Sequence, residues 1–243
     1  MTAPRKRSIT RADFERLCRE SRVVESHRQR PSVLEHELDG RALITKIWYP
    51  KGWLSSDRLR PYGLRFVRSA GRLRALGFPA PDVTAYGTVL DCAARYVTYA
   101  KLPGQPLRSL DARLDLEALA TFAARLHEAG VYFRALHLGN LLHQPDGSLA
   151  LIDVAATRFR RGALGLGQRE RNLGALCAHP DDAEFWLEGR WSELVMAYAR
   201  AAGFNLRQAA RLRDRVGRQI RYRQRRRTRR GARRARLAAL AGR

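Results

Sequence analysis

Cysteine is scarce in this 243-residue chain, with only Cys18, Cys92 and Cys177. An odd number at wide spacing, with no CxxC pair, excludes a disulfide scaffold and ordinary zinc-ligand spacing, and fits reduced thiols in a cytosolic protein. No run of about 18 apolar residues occurs, so no transmembrane helix is expected. The basic segment Met1–Thr10 is followed by no apolar stretch, so no secretory signal is expected either. Acid is short as well: 23 Asp plus Glu stand against 47 Lys plus Arg, a formal charge of +24. No Glu lies between Glu37 and Glu117, and Asp57 is the only acid from Ala42 to Pro81.

What is present is enough to fold. Hydrophobic residues make up 45% of the chain, which supports one mid-sized core or two small lobes and argues against global disorder. The charge is unevenly spread. From Arg207 to Arg243 sixteen arginines face a single acid, Asp214, so this end carries +15 and the rest +9. Such a segment calls for a polyanion or for solvent.

Pattern divides the chain into two parts and a tail. Residues 11–20 read as a short helix with Phe14, Leu17 and Cys18 on one face. Three strand-like pieces follow, Arg22–Ser26, Ser32–Leu38 and Ala42–Tyr49, joined by a polar loop and by an Asp39-Gly40 turn that predicts a hairpin. Leu54–Leu76 reads as a long helix stopped by Gly77 and Pro79. Val83–Leu90 and Ala94–Tyr99 are two more strands. Pro103-Gly104-Gln105-Pro106 breaks the pattern, and mainly helical segments follow: Leu116–Ala129, Arg169–Ala178, Asp181–Gly203 and Leu206 onward. The expected fold is α+β with segregated elements: a β-rich part at 1–101, a helical part at 102–206 and an Arg-rich tail at 207–243.

The residues suited to chemistry cluster in Gly130–Asn140 and Leu149–Val154. A short hairpin turning at Asp146-Gly147 separates them, so Asn140 just before it and Asp153 just after it are expected to be near neighbours. An amide oxygen and a carboxylate are hard donors that suit Mg²⁺ when phosphates supply the remaining ligands. His179-Pro-Asp-Asp182 predicts a helix start capped by Asp181 or Asp182.

Phe133-Arg134-Ala135-Leu136-His137-Leu138-Gly139-Asn140, followed by Leu151-Ile152-Asp153-Val154, resembles the catalytic loop and metal-binding segment of protein-kinase-like phosphotransferases. With Trp48-Tyr49-Pro50-Lys51 and Gly77-Phe-Pro-Ala-Pro81, the stretch is most similar to the lipopolysaccharide-core kinases acting on Kdo or heptose, a group that includes toluene tolerance-type proteins. The likeness covers roughly residues 20–200. It implies a bilobal protein-kinase-like fold, with a small antiparallel sheet and one long helix in the first lobe. It implies ATP and Mg²⁺ as cofactors, Lys46 on the nucleotide phosphates, Tyr99, Lys101 and Leu102 at the adenine-binding hinge, and Asn140 and Asp153 on the metal.

Three departures stand beside the resemblance. The loop aspartate that would take the acceptor's proton is Ala135, which leaves His137 as the substitute base. The loop between the first two strands, Ser26–Pro31, has no glycine, so Arg28 and Arg30 would cover phosphate by charge. The helix after Lys46 offers no Glu. The expected activity is phosphoryl transfer to a sugar hydroxyl of the lipopolysaccharide core, on the cytoplasmic face of the inner membrane. The alternatives are a silent pseudokinase scaffold or, less favoured, a basic RNA-binding protein. The tail, with Leu206, Ala209, Ala210, Leu212, Val216, Ile220, Leu237 and Leu240 among its arginines, reads as a basic amphipathic helix for an anionic glycolipid or a peripheral membrane surface.

Overall fold

The structure is a computed structural model describing residues 4–27, 29–49, 61–92, 94–110, 113–187 and 189–241, the side chains of 234 and 237–241 excepted. Readings that fall on Arg28, on residues 50–60 and on Leu237 and Leu240 lie outside the described residues.

In chain order the elements are β1 (Arg5–Lys6), α1 (Arg11–Glu20), β2 (Arg22–His27), β3 (Arg30–Leu38), β4 (Arg41–Trp48), α2 (Tyr62–Ala75), β5 (Val83–Thr88) and β6 (Arg95–Ala100). There follow β7 (Gln105–Pro106), α3 (Leu116–Glu128), β8 (Val131–Phe133), β9 (Leu141–His143), β10 (Leu149–Leu151), β11 (Thr157–Phe159), α4 (Leu166–Leu176), α5 (Arg190–Ala201) and α6 (Leu206–Ala241). Among the described residues they make a mixed α/β protein with a six-stranded sheet and six α-helices. The chain forms two compact units, 1–104 with 142–156, and 105–141 with 157–243. This differs from the division by sequence at two places: the hairpin 142–156 belongs to the first unit, and the Arg-rich segment is part of the second.

The first unit is built on a sheet of order β1-β5-β6-β4-β3-β2. Asp39 and Gly40 both have positive φ, 51° and 70°, and Leu38 pairs with Arg41, so the predicted Asp-Gly hairpin forms with two turn residues. Strand alternation sorts the faces. Phe14 of α1 packs with Leu34, Ile47, Val89, Ala94 and Tyr96 on one side. On the other, Phe66 of α2 lies against Trp48 and Tyr99, with ring centroids 5.9 and 5.3 Å apart. Thr10 caps α1 by accepting from the Asp13 N–H. Gly77, at φ 79°, ends α2 as its sequence predicts.

In the second unit α5 packs on α3 and α6, and α4 packs on α6. Asp115 caps α3, accepting from Glu117 and Ala118 N–H groups at 2.9 and 3.1 Å. The predicted helix Asp181–Gly203 is instead a 3-10 turn at Pro180–Asp182 followed by α5 from Arg190. Asp182 points inward to other partners and so does not cap a helix. Helix α6 seats Ala209, Leu212, Val216 and Ile220 in the core. Full burial of each large apolar side chain is worth ~1.5–3 kcal/mol. Those four side chains are therefore packed within the unit, while Leu206 and Ala210 of the same stripe are exposed. Gly174 of α4 makes the contact possible: a Cβ there would come within 2.6 Å of the Gln219 Cβ. Arg215 pairs with Glu170 at 2.9 Å alongside.

Candidate functional site

Lys46 sits on β4, paired between Val33 of β3 and Val97 of β6. It alternates with the inward Thr45 and Ile47, so it shares the α2 face with Trp48. Its side chain is only 16% exposed, and its Nζ lies 2.8 Å from Oδ1 of Asp153. Asp153 reaches this position from the β9–β10 hairpin. That hairpin is closed by Asp146 and Gly147 at its tip, where Asp146 accepts from the Ser148 N–H at 2.9 Å. It is fixed to the segment after α2 by the Leu151 N–H on the Pro79 carbonyl, also at 2.9 Å. Helix α2 packs on the turn Val154–Ala156 that follows. Asp153 itself has φ 54°, left-handed for a residue with a side chain. Such backbone costs ~1–2 kcal/mol, and it turns the carboxylate toward Lys46.

Helix α2 carries no acid, and among the described residues Lys46 is paired with Asp153. One oxygen of Asp153 faces the ammonium while the side chain stays 41% exposed. The second oxygen is a hard donor that fits Mg²⁺. Burial pushes the Tyr99 hydroxyl above its ordinary range, and the Asp153 charge adds to the effect. The Tyr99 ring stacks on Phe66 inside the core, so any hinge contact from this residue is through its backbone. Lys101 uses its ammonium on Glu35, which also takes Arg22, and the Lys101 pairing holds the Glu35 carboxyl below its usual range. Leu102 is half-buried just beyond β6. The side chains of Tyr99 and Lys101 are thus committed within the sheet, which a reading of their sequence position does not reveal.

The remaining predicted residues belong to the second unit. Asn140, 9% exposed, ends a 3-10 turn Leu138–Asn140 and donates its amide N–H to the Ala135 carbonyl at 3.0 Å. That bond turns its carbonyl oxygen the other way. His137 stacks on His179, centroids 4.0 Å apart. Under them lies Asp182, fully buried, which accepts from the Leu138 N–H at 3.0 Å and from Arg108 Nε at 2.5 Å. Arg108 also approaches His179 Nδ1 at 3.4 Å. Its guanidinium passes over Gly139, where a Cβ would meet it at 3.0 Å. Ligand atoms of His137, His179 and Asp182 lie within 4.8 Å of one another. Arg108 already supplies the positive charge a metal would bring, so the cluster reads as the support of the loop.

Sequence reasoning missed a buried network beneath β8. His127, wholly buried, contacts the Tyr198 hydroxyl through Nδ1 at 2.9 Å and the Asn172 side-chain oxygen through Nε2 at 3.1 Å. Asn172 donates to the Phe133 carbonyl at 2.7 Å, just before the loop. Arg169 donates to Tyr198, Glu128 and the Leu164 carbonyl. Burial pulls the His127 pKa down to about 4, so the ring is neutral. Placed on α3 between Leu126 and Glu128, His127 looks in sequence like any helix-face residue, and nothing local marks its partners 45 and 71 positions away.

No family model matches the chain, and no curated protein matches it. Among solved structures it is similar to a kinase, and specifically to WbdD, described as a bifunctional kinase-methyltransferase. Two WbdD structures match at 18% identity with TM-scores of 0.46 and 0.47, covering 77% and 80% of this chain and 43% and 45% of WbdD. A co-crystal structure of WbdD with the kinase inhibitor LY294002 matches at 18% identity and a TM-score of 0.47 over 79% of this chain. The chain thus spans less than half the length of these structures.

Proposed function

We propose that this chain is an ATP- and Mg²⁺-dependent phosphotransferase whose acceptor is a sugar hydroxyl of the lipopolysaccharide inner core, working at the cytoplasmic face of the inner membrane. One observation carries the reading. A mostly buried strand ammonium and a carboxylate held in left-handed backbone meet at 2.8 Å, at the two positions where the motifs call for a phosphate-binding lysine and a metal-binding aspartate.

Lys46 is assigned to the nucleotide phosphates, and Asp153 and Asn140 are the oxygen donors assigned to Mg²⁺. The metal would neutralise charge on the phosphates. The backbone at Tyr99–Leu102 is assigned to the base. His137, oriented by the stack on His179 and by the Asp182-held loop, is assigned to the acceptor hydroxyl. Phosphoryl transfer through a loose transition state asks mainly for positioning and charge neutralisation, so Ala135 in place of an aspartate lowers the rate without removing the machinery.

Ala135 also favours a second reading, a nucleotide-binding scaffold without turnover. ATP titration by thermal shift, with and without Mg²⁺, tests the shared premise. Wild type should be stabilised only with both present, and Asp153→Ala should not. Equal shifts in the two proteins would overturn the assignment. Phosphate transfer from labelled ATP to dephosphorylated core oligosaccharide then separates enzyme from scaffold.

A further inference from the structure

Beside the loop that carries Ala135 and His137, the second unit holds a cavity of about 670 Å³ walled by α4 and α6. Its charged lining is Arg134, Arg171, Arg223, Arg226, Arg227 and Arg230, with no acid among the described lining residues. On α6, Arg223, Arg226 or Arg227, and Arg230 follow one another at successive turns, a row about 10 Å long. Arg223 is the innermost. It donates one bond to the Arg171 carbonyl at 3.2 Å, while its Nε–H is buried without a hydrogen-bond partner among the described residues. Burial, and to a smaller degree Arg226, pulls its guanidinium below the ordinary arginine range. A cation that is desolvated, crowded by like charges and short of an acceptor favours an anion beside it. Ala135 and His137 also line this cavity.

We propose that this cavity is the acceptor subsite and takes a sugar bearing two or more phosphate or carboxylate groups, its anions held by the arginine row of α6 and its reacting hydroxyl presented to His137. The inference rests on reading that loop as catalytic. It makes the Arg-rich segment an acceptor-binding wall, built in by the apolar face that packs on α4 and α5. A concave site of this size suits a compact polyanion. Nucleic acid is the poorer fit, because a base-stacking platform needs free aromatic faces, and among the described lining residues Tyr222 is joined only by His137 and His179, which stack on each other. A phosphatidylglycerol headgroup brings a single phosphate, too few for the row.

The test is calorimetric titration of the full chain with fructose 1,6-bisphosphate, and with fructose as the uncharged control. Three proteins are compared: wild type, Arg223→Gln/Arg227→Gln, and Arg211→Gln/Arg218→Gln, which removes equal charge from α6 outside the cavity. Circular dichroism verifies that α6 stays folded. The bisphosphate should bind wild type and the 211/218 variant alike. It should bind the 223/227 variant about tenfold or more weakly, and fructose should bind none of them. Equal weakening in both variants would overturn the proposal in favour of diffuse attraction to the basic helix. So would absence of binding, and so would tighter, variant-insensitive binding of oligouridylate. Vesicles of phosphatidylcholine with phosphatidylglycerol that bind in a 223/227-dependent way while the bisphosphate does not would give the row to lipid. Failure of the phosphotransferase reading registers elsewhere, as ATP binding indifferent to Asp153→Ala.

Discussion

Between pH 7.5 and pH 5 the protein should lose about 2 kcal/mol of stability through His127 alone. The ring is wholly buried, with its pKa drawn down to about 4 by burial, whereas an unfolded-chain histidine titrates near ~6.5. Between those two values the unfolded chain binds the proton and the folded one refuses it, so stability rises with pH across the window and falls as acid is added. With ~1.4 kcal/mol per pKa unit, the full effect is roughly 3 kcal/mol, reached below about pH 4, and about two-thirds of it is felt by pH 5. Urea unfolding followed by circular dichroism at pH 7.5 and pH 5 measures it. Other titrating groups contribute to the same slope, so the readout is the difference from His127→Gln, which can still donate to one partner and accept from the other without titrating. The variant starts less stable at pH 7.5 but should lose about 2 kcal/mol less on acidification. Parallel losses in the two proteins would mean that His127 is charged or solvated in the folded state, and the network described beneath β8 would be wrong.

Other outcomes follow from single contacts. Ala135→Asp restores the acceptor-side carboxylate and should raise sugar phosphorylation about 10²-fold if the site turns over; unchanged activity in steady-state assays supports the silent scaffold. Asp182→Ala leaves the buried Leu138 N–H without an acceptor, so chemical denaturation should show a loss of roughly 1–3 kcal/mol, with faster hydrogen exchange at Leu138. Gly174→Leu drives a side chain into Gln219 and should cost about 1–3 kcal/mol by overpacking, with exposure of the α6 apolar face detectable by dye binding. Lys46→Met removes the ammonium next to Asp153, and the thermal shift given by ATP with Mg²⁺ should disappear.

The sheet was largely legible because its signals are local. Asp39-Gly40 announces a hairpin, Gly77 and the prolines after it announce the end of α2, and alternation in β4 places Lys46 on the face opposite Thr45. The hairpin that carries Asp153 was legible for the same reason, through Asp146-Gly147. What could not be read is tertiary. The start of α5 was misplaced because Asp182 has the look of a cap and is drawn instead to Leu138 and Arg108, distant in the chain. The arginine segment has the composition of a solvated or membrane-bound helix, and the burial of Ala209, Leu212, Val216 and Ile220 shows that the middle of its apolar stripe belongs to the core.

That last difference changes how the charge should be understood. A free basic tail binds polyanions by counterion release, with affinity set by charge count and salt and little by position. A helix locked along one unit holds its arginines at fixed spacing and brings one of them, Arg223, under partial burial, where an unmet donor is costly. Position then matters more than number, and loss of two cavity arginines cannot be replaced by two elsewhere on the same helix. The salt dependence should differ too. Screening weakens exposed contacts over about 10 Å at 0.1 M salt but acts less on a recessed guanidinium. The part of bisphosphate affinity that depends on Arg223 and Arg227 should therefore persist at salt concentrations that abolish binding to the outer arginines, a separation measurable by repeating the titration at increasing salt.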